Sequence, residues 1–181
     1  MVTISQNKIR GLFQIGDQQN GSTLEKGKAL EDLICYLFGK VPGIEIARRN
    51  ALNQFQTEET DIALWNNKSK AGFQFLPYQI LVECKNWSGP VGSTEVSYFV
   101  SRLQNRGLDY GILIAVKGIT GNNPGITAAH YEVAMALPKG IRIIILTKEE
   151  ILALKDTKEV VRLVKEKLCD LVVSGTALIP A

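Results

Sequence analysis

The chain has 181 residues, 45% of them hydrophobic and 22% charged, with a formal charge of +3. That length and composition suit one well-cored globular domain and exclude a disordered or fibrous polypeptide, while so mild a charge permits a nucleic-acid partner without requiring one. A single histidine, His130, rules out His-rich zinc chemistry, and Cys35, Cys84 and Cys169, far apart and without Cys-x-x-Cys spacing, read as reduced core residues of a cytoplasmic protein.

Residues 1–20 are polar and weakly periodic, interrupted by Gly11, Gly16 and Asp17, and predict an arm or a short irregular lead. They lack the apolar core and small-residue cleavage site of a signal peptide, and no window of the chain approaches the about 18 consecutive apolar residues of a membrane span. The remainder, 21–181, is expected to form one domain. Its first helix starts at a capping box, Ser22-Thr23-Leu24-Glu25, and should end near Gly39.

Leu30, Leu33, Ile34, Leu37 and Phe38 recur at helical spacing and define the face of this helix that lies on a sheet. Glu31 falls beside that face, since Ile34, Cys35 and Phe38 follow it at helical offsets. A carboxylate there is costly unless it is compensated or reaches water.

Residues 44–50 alternate apolar and polar as a half-exposed strand does, closing on Arg48 and Arg49. Two further runs follow, 61–65 and 78–85, joined by a polar link that contains glycine and proline. Together the three suggest an antiparallel meander. In the last run Glu83 and Lys85 leave one face while Cys84 points to the other. If the two later runs pair, Asp61 comes within reach of Glu83, and two carboxylates at close range need positive charge between them. A hard divalent cation such as Mg²⁺ takes such oxygen ligands together with water and phosphate. An isolated Glu-x-Lys is nevertheless a short pattern, which more often marks only where a sheet meets solvent.

Beyond Lys85 the segment 86–93 is rich in turn formers, and its Trp87 can stack on a base or cap the core. A helix from Ser93 or Thr94 to Arg106 should turn Val96, Phe99, Val100 and Leu103 inward. Arg102, Gln104, Asn105 and Arg106 are placed on its outer face. The two arginines there, with Lys117 in the later loop, are candidates for DNA phosphates, although an ordinary solvated face looks the same. Residues 110–116 and 141–146 read as strands buried on both sides, separated by a glycine-bearing loop, 117–125, and a helix over about 127–137. A helix start at Thr147 and a final amphipathic helix from Thr157 to about Val173 complete an α/β pattern.

Taken together, Gly27-Lys28-Ala29-Leu30-Glu31, Asp61 opening a strand, Glu83-Cys84-Lys85 closing the next, Asn86-Trp87-Ser88-Gly89-Pro90-Val91-Gly92 and Tyr110-Gly111-Ile112-Leu113-Ile114 resemble, in order and spacing over residues 27–154, the Mrr-like restriction endonuclease domain of the PD-(D/E)xK nuclease superfamily. The resemblance implies a three-layer α/β/α fold with a central mixed sheet of about five strands, and a Mg²⁺-dependent endodeoxyribonuclease in which Mn²⁺ can substitute. It further implies that Asp61 and Glu83 hold the metal with help from the Cys84 carbonyl. Lys85 would position or polarise the attacking water, and Glu31 would act at or near the metal. Thr60 stands where the family motif often has proline. Many proteins of this family carry a separate winged-helix or other targeting domain; none is expected within these 181 residues, so target choice is expected to rest on another subunit, on residues 1–20 or on the C-terminal helix. A homodimer fits the need for two sites to cut both strands. Within the superfamily a Holliday-junction resolvase is the rival expectation. A non-catalytic nucleic-acid-binding module is the rival from another class, although it has no need for carboxylates facing phosphate.

Overall fold

The computed structural model describes residues 1–18, 20–53, 56, 58–121 and 129–175. Five strands, β1 (Ile44–Leu52), β2 (Glu59–Asn66), β3 (Gln79–Lys85), β4 (Tyr110–Ala115) and β5 (Arg142–Leu146), form one sheet in chain order. β1, β2 and β3 pair antiparallel, as the meander reading expects, whereas β3, β4 and β5 pair parallel. Parallel neighbours need a crossover. Helix α3 (Ser93–Asn105) supplies the first and α4 (Ala129–Ala136) the second. The expected start of α4 at Thr127, and positions 122–125 of the loop before it, lie outside the described residues.

Strand alternation divides the core into two layers. Ile62, Leu64, Ile80, Val82, Ile112, Ile114, Ile144 and Leu146 pack with α2 (Thr23–Gly39) and α6 (Thr157–Ser174) on one side. Leu81, Leu113, Ala115, Ile143 and Ile145 pack under α3 and α4 on the other. The result is the three-layer α/β/α restriction endonuclease-like architecture with a five-stranded mixed sheet. Gly111 lets α3 approach closely, because a Cβ there would lie 2.7 Å from Phe99 Cζ and 2.8 Å from Leu103 Cδ1. Among the described residues no helix is long and apolar enough to cross a membrane.

The irregular lead expected over 1–20 is a correction: Gln6–Gly16 is helix α1, packed along α2. The Ser5 hydroxyl accepts from the Lys8 amide, and Ile9, Phe13 and Gly16 form a buried stripe at helical spacing. The glycines that broke the pattern have other roles. Gly11 has open space about its Cβ position, so it costs only helix propensity. Gly16 is a point of contact, since a Cβ on it would fall 2.7 Å from Asn86 Nδ2. That Asn86 amide donates to the carbonyls of Gly16 (3.2 Å) and Lys26 (3.1 Å), clamping two helices to the exit of β3. The chain start is also pinned, with the Ile4 amide donating to the Lys155 carbonyl at 2.9 Å.

The link between β2 and β3 sets their register. Asn66 is fully buried, and its Nδ2 donates to the carbonyls of Phe73 (2.7 Å), Leu76 (3.2 Å) and Pro77 (3.0 Å). One side chain thus adds a buried donor to three turn carbonyls, of which those of Phe73 and Leu76 also accept from the Leu76 amide and from Lys68 Nζ. The ladder it anchors runs Trp65↔Gln79, Leu64↔Ile80, Ala63↔Leu81, Ile62↔Val82.

Candidate active site

One step beyond Ile62↔Val82 the register sets Asp61 opposite Glu83. Both side chains leave the face that carries Ala63 and Leu81, under α3, because side chains alternate along each strand. At this point the backbone ladder gives way to a side chain: the Cys84 amide donates to Asp61 Oδ2 at 2.6 Å. The neighbouring Lys85 carbonyl accepts from Val116 on the β4 side at 3.1 Å. In an extended chain the amide and carbonyl of one residue face the same neighbour, so the Cys84 carbonyl is directed toward β2, past the last rung.

Glu83 is only 4% exposed. Its Oε1 lies 2.9 Å from Lys85 Nζ, and Arg102 of α3 reaches Oε2 through Nη1 at 2.5 Å and Oε1 through Nη2 at 3.4 Å. Asp61 lacks such compensation. Its carboxyl is pushed up to about 6, first by burial and then by the Glu83 charge, against the opposing pull of the Cys84 amide and of Lys85. The Cys84 thiol packs on the opposite face and is pushed up by burial, so it stays neutral and offers no thiolate.

Glu31 lies at the margin. It adds a small upward push to Asp61, but its partner is Arg49, whose Nη2 is 3.3 Å away and which also holds Asp32 at 2.8 Å. The cost expected for its half-buried carboxylate is therefore met by an arginine. Among the described residues no group of three or more His, Cys, Asp or Glu side chains is arranged to hold a metal. What the sheet does bring together is a pair of carboxylates facing one another, with one carbonyl directed to the same edge. This all-oxygen donor set and the mutual repulsion recorded in Asp61 fit a hard divalent cation.

Of the other candidates, Trp87 is exposed in the loop after β3, with Lys85 Nζ 5.7 Å from its ring centroid. Lys117 is exposed just past β4. The loops bearing them are tied together, the Val91 amide donating to Gly118 at 2.9 Å and the Thr120 amide to Val91 at 2.8 Å. Both sit at the carboxyl ends of the parallel strands, where open α/β sheets place ligands. The outer-face placement of Arg102 and Arg106 is corrected: both turn inward toward the sheet. Arg102 also donates to the Glu59 carbonyl at 2.9 Å, and Arg106 pairs with Glu58 at 3.1 Å. Position 102 follows Phe99 by three residues, at the edge of the buried stripe, from where a long side chain can cross to the strand. That offset is the signal by which the sequence could have revealed an inward-reaching Arg102, though not the acid it meets. Asn86 carried no comparable signal.

The family model described as restriction endonuclease, Mrr_cat, matches residues 25–154, which runs from α2 to α5 (Lys148–Ala153) and contains Glu31, Asp61, Glu83, Cys84 and Lys85. No curated protein matches the chain. With most of its length covered, and with a three-layer fold whose central strands carry the opposed acids, the chain belongs to the Mrr-like restriction endonuclease family of PD-(D/E)xK nuclease domains.

Proposed function

We propose that this domain is a Mg²⁺-dependent endodeoxyribonuclease of the restriction type, acting in defence against foreign DNA, with Mn²⁺ able to replace Mg²⁺. The observation that carries the reading is Asp61 facing Glu83 on one side of the sheet, its carboxyl raised by burial and then by that neighbour. Asp61 and Glu83 would hold the ion, assisted by the Cys84 carbonyl. A divalent cation there supplies a Lewis acid that activates water and offsets charge growing on the phosphate. Lys85 Nζ, paired with Glu83, donates to the attacking water or to a non-bridging phosphate oxygen. Glu31, beside the pair, orients water at the margin of the site. Trp87 and Lys117 line the strand-end loops on which the DNA backbone would lie. Duplex cleavage calls for two such centres, hence a homodimer, and target choice falls to the flanking helices or a separate subunit.

The test is incubation of supercoiled plasmid with the protein and Mg²⁺ or Mn²⁺. Nicking should disappear in Asp61→Ala and Lys85→Ala. Mutants as active as the parent would assign the nicking to a contaminant and sink the reading.

A further inference from the structure

Both oxygens of Glu83 are already engaged by cations of the chain. Lys85 belongs there by construction, two residues along the same strand face. Arg102 does not: it comes from a different layer, on α3, and reaches Glu83 through two nitrogens while a third contact anchors it to the Glu59 carbonyl. Its side chain is 17% exposed, so this is a half-buried, charge-assisted pair with little water to weaken it. The charges of Asp61, Glu83, Lys85 and Arg102 cancel when all four are ionised. A doubly charged ion arriving at this cluster meets a neutral site whose better carboxylate is occupied.

Removing Arg102 from the count leaves one net negative charge. Lys85 offers a single point charge from the same strand as Glu83. Arg102 sits on a long, partly exposed side chain whose guanidinium matches a phosphate as well as it matches a carboxylate. We propose that Arg102 is a latch on Glu83: it competes with the divalent cation for that carboxylate, and a DNA phosphate, by drawing the guanidinium off, admits the ion. Arg102 is in this sense a positioning residue that couples substrate binding to metal binding. The inference rests on the nuclease reading of the same site. Because linkage is reciprocal, DNA must tighten metal binding by the same factor as metal tightens DNA binding.

Calorimetric titration of the full chain with Mn²⁺, with and without a short phosphorothioate duplex that resists cleavage, tests this without any activity readout. Without DNA, Arg102→Gln should bind Mn²⁺ about tenfold more tightly than the parent. The duplex should tighten Mn²⁺ binding to the parent by a similar factor and leave Arg102→Gln unchanged. Equal or weaker Mn²⁺ binding by Arg102→Gln would overturn the latch and leave Arg102 a simple support for Glu83. If circular dichroism shows that this variant does not fold, Arg102→Lys decides: it keeps the charge but loses the fork, so its affinity should lie above the parent's, and an affinity at or below the parent's overturns the proposal. An Asp61→Asn control separates the two ideas. Mn²⁺ binding that depends on Asp61 but ignores Arg102 defeats the latch alone, whereas no Asp61-dependent binding in any variant defeats the metal site and the latch with it.

Discussion

At one end of the β2–β3 pair the Asn66 amide is fully buried and shared among three backbone carbonyls. At the other end of the same pair Asp61 faces Glu83 with its carboxyl pushed up to about 6. The strands, their register and their flanking layers are common to both ends, so the difference lies in what the polar groups are arranged to do. The Asn66 end satisfies its donors and acceptors internally and holds the register. The Asp61 end leaves a carboxylate under-compensated, which costs stability in the ion-free protein and creates affinity for positive charge. A register held firmly at one end is what keeps two repelling acids opposed at the other.

The sharpest way to break this contrast is Asp61→Ala, which should cut plasmid nicking by at least about a hundredfold while leaving the fold, followed by circular dichroism, in place. A mutant that loses its fold instead would show that Asp61 is a structural acid and that the two ends do not differ in kind. At the opposite end Asn66→Ala should behave in reverse. It removes the donor shared by the Phe73, Leu76 and Pro77 carbonyls, the first two of which keep a bond from the Leu76 amide and from Lys68 Nζ, and it strands the Lys68 amide, which donates to Asn66 Oδ1 at 3.0 Å, so urea unfolding should report a loss of about 1–3 kcal/mol. The surviving folded fraction should still bind Mn²⁺ through Asp61 and Glu83. An Asn66→Ala protein as stable as the parent would mean that the turn holds itself without the amide.

A smaller effect comes from pH. Because the folded-state carboxyl of Asp61 lies above its ordinary value of 3.8, the folded protein holds that proton more tightly than the unfolded chain. Stability from this group is therefore present at low pH and is lost as the pH rises through about 6. Without divalent ions, Asp61→Asn should be more stable than the parent at pH 7.5, by an amount on the order of 2 kcal/mol, and the two melting curves should converge below about pH 4. Asparagine keeps an oxygen for the Cys84 amide, so the comparison isolates the charge. Parallel curves across that range would show that Glu83 and burial do not disfavour the Asp61 carboxylate.

Much of this contrast is legible in the sequence. The antiparallel meander followed from the alternation in residues 44–50 and from the runs after it, and the facing of Asp61 and Glu83 followed from assuming that those runs pair. The buried strands β4 and β5 were legible because parallel strands covered on both sides are apolar throughout. Helix α1 was not, because Gly16 looks like a helix breaker in sequence and becomes a contact point only once Asn86 is folded against it. The partners of Glu31 and Glu83 were hidden for a related reason. Arg49 and Arg102 come from other elements, and no local pattern states which acid a long cationic side chain will reach across a sheet. Solvated-face statistics placed Arg102 outward, whereas its position at the edge of the Phe99 stripe and the close approach allowed by Gly111 turn it in.

The smallest expected effect tests whether the Asn66 end is as complete as it looks. Tyr110 opens β4 level with Ile80, near that end, since Gly111 pairs with Leu81. It is 3% exposed, and its hydroxyl has no hydrogen-bond partner among the described residues. Burial pushes the phenol well above its usual range, so it stays neutral and carries only the cost of a desolvated hydroxyl. Tyr110→Phe removes that cost and keeps the ring in the core, so unfolding should give a stability equal to the parent's or up to about 1 kcal/mol higher. A loss of more than that would reveal a partner for the hydroxyl, such as a buried water, and would extend the satisfied network of the Asn66 end from β2 and β3 into β4.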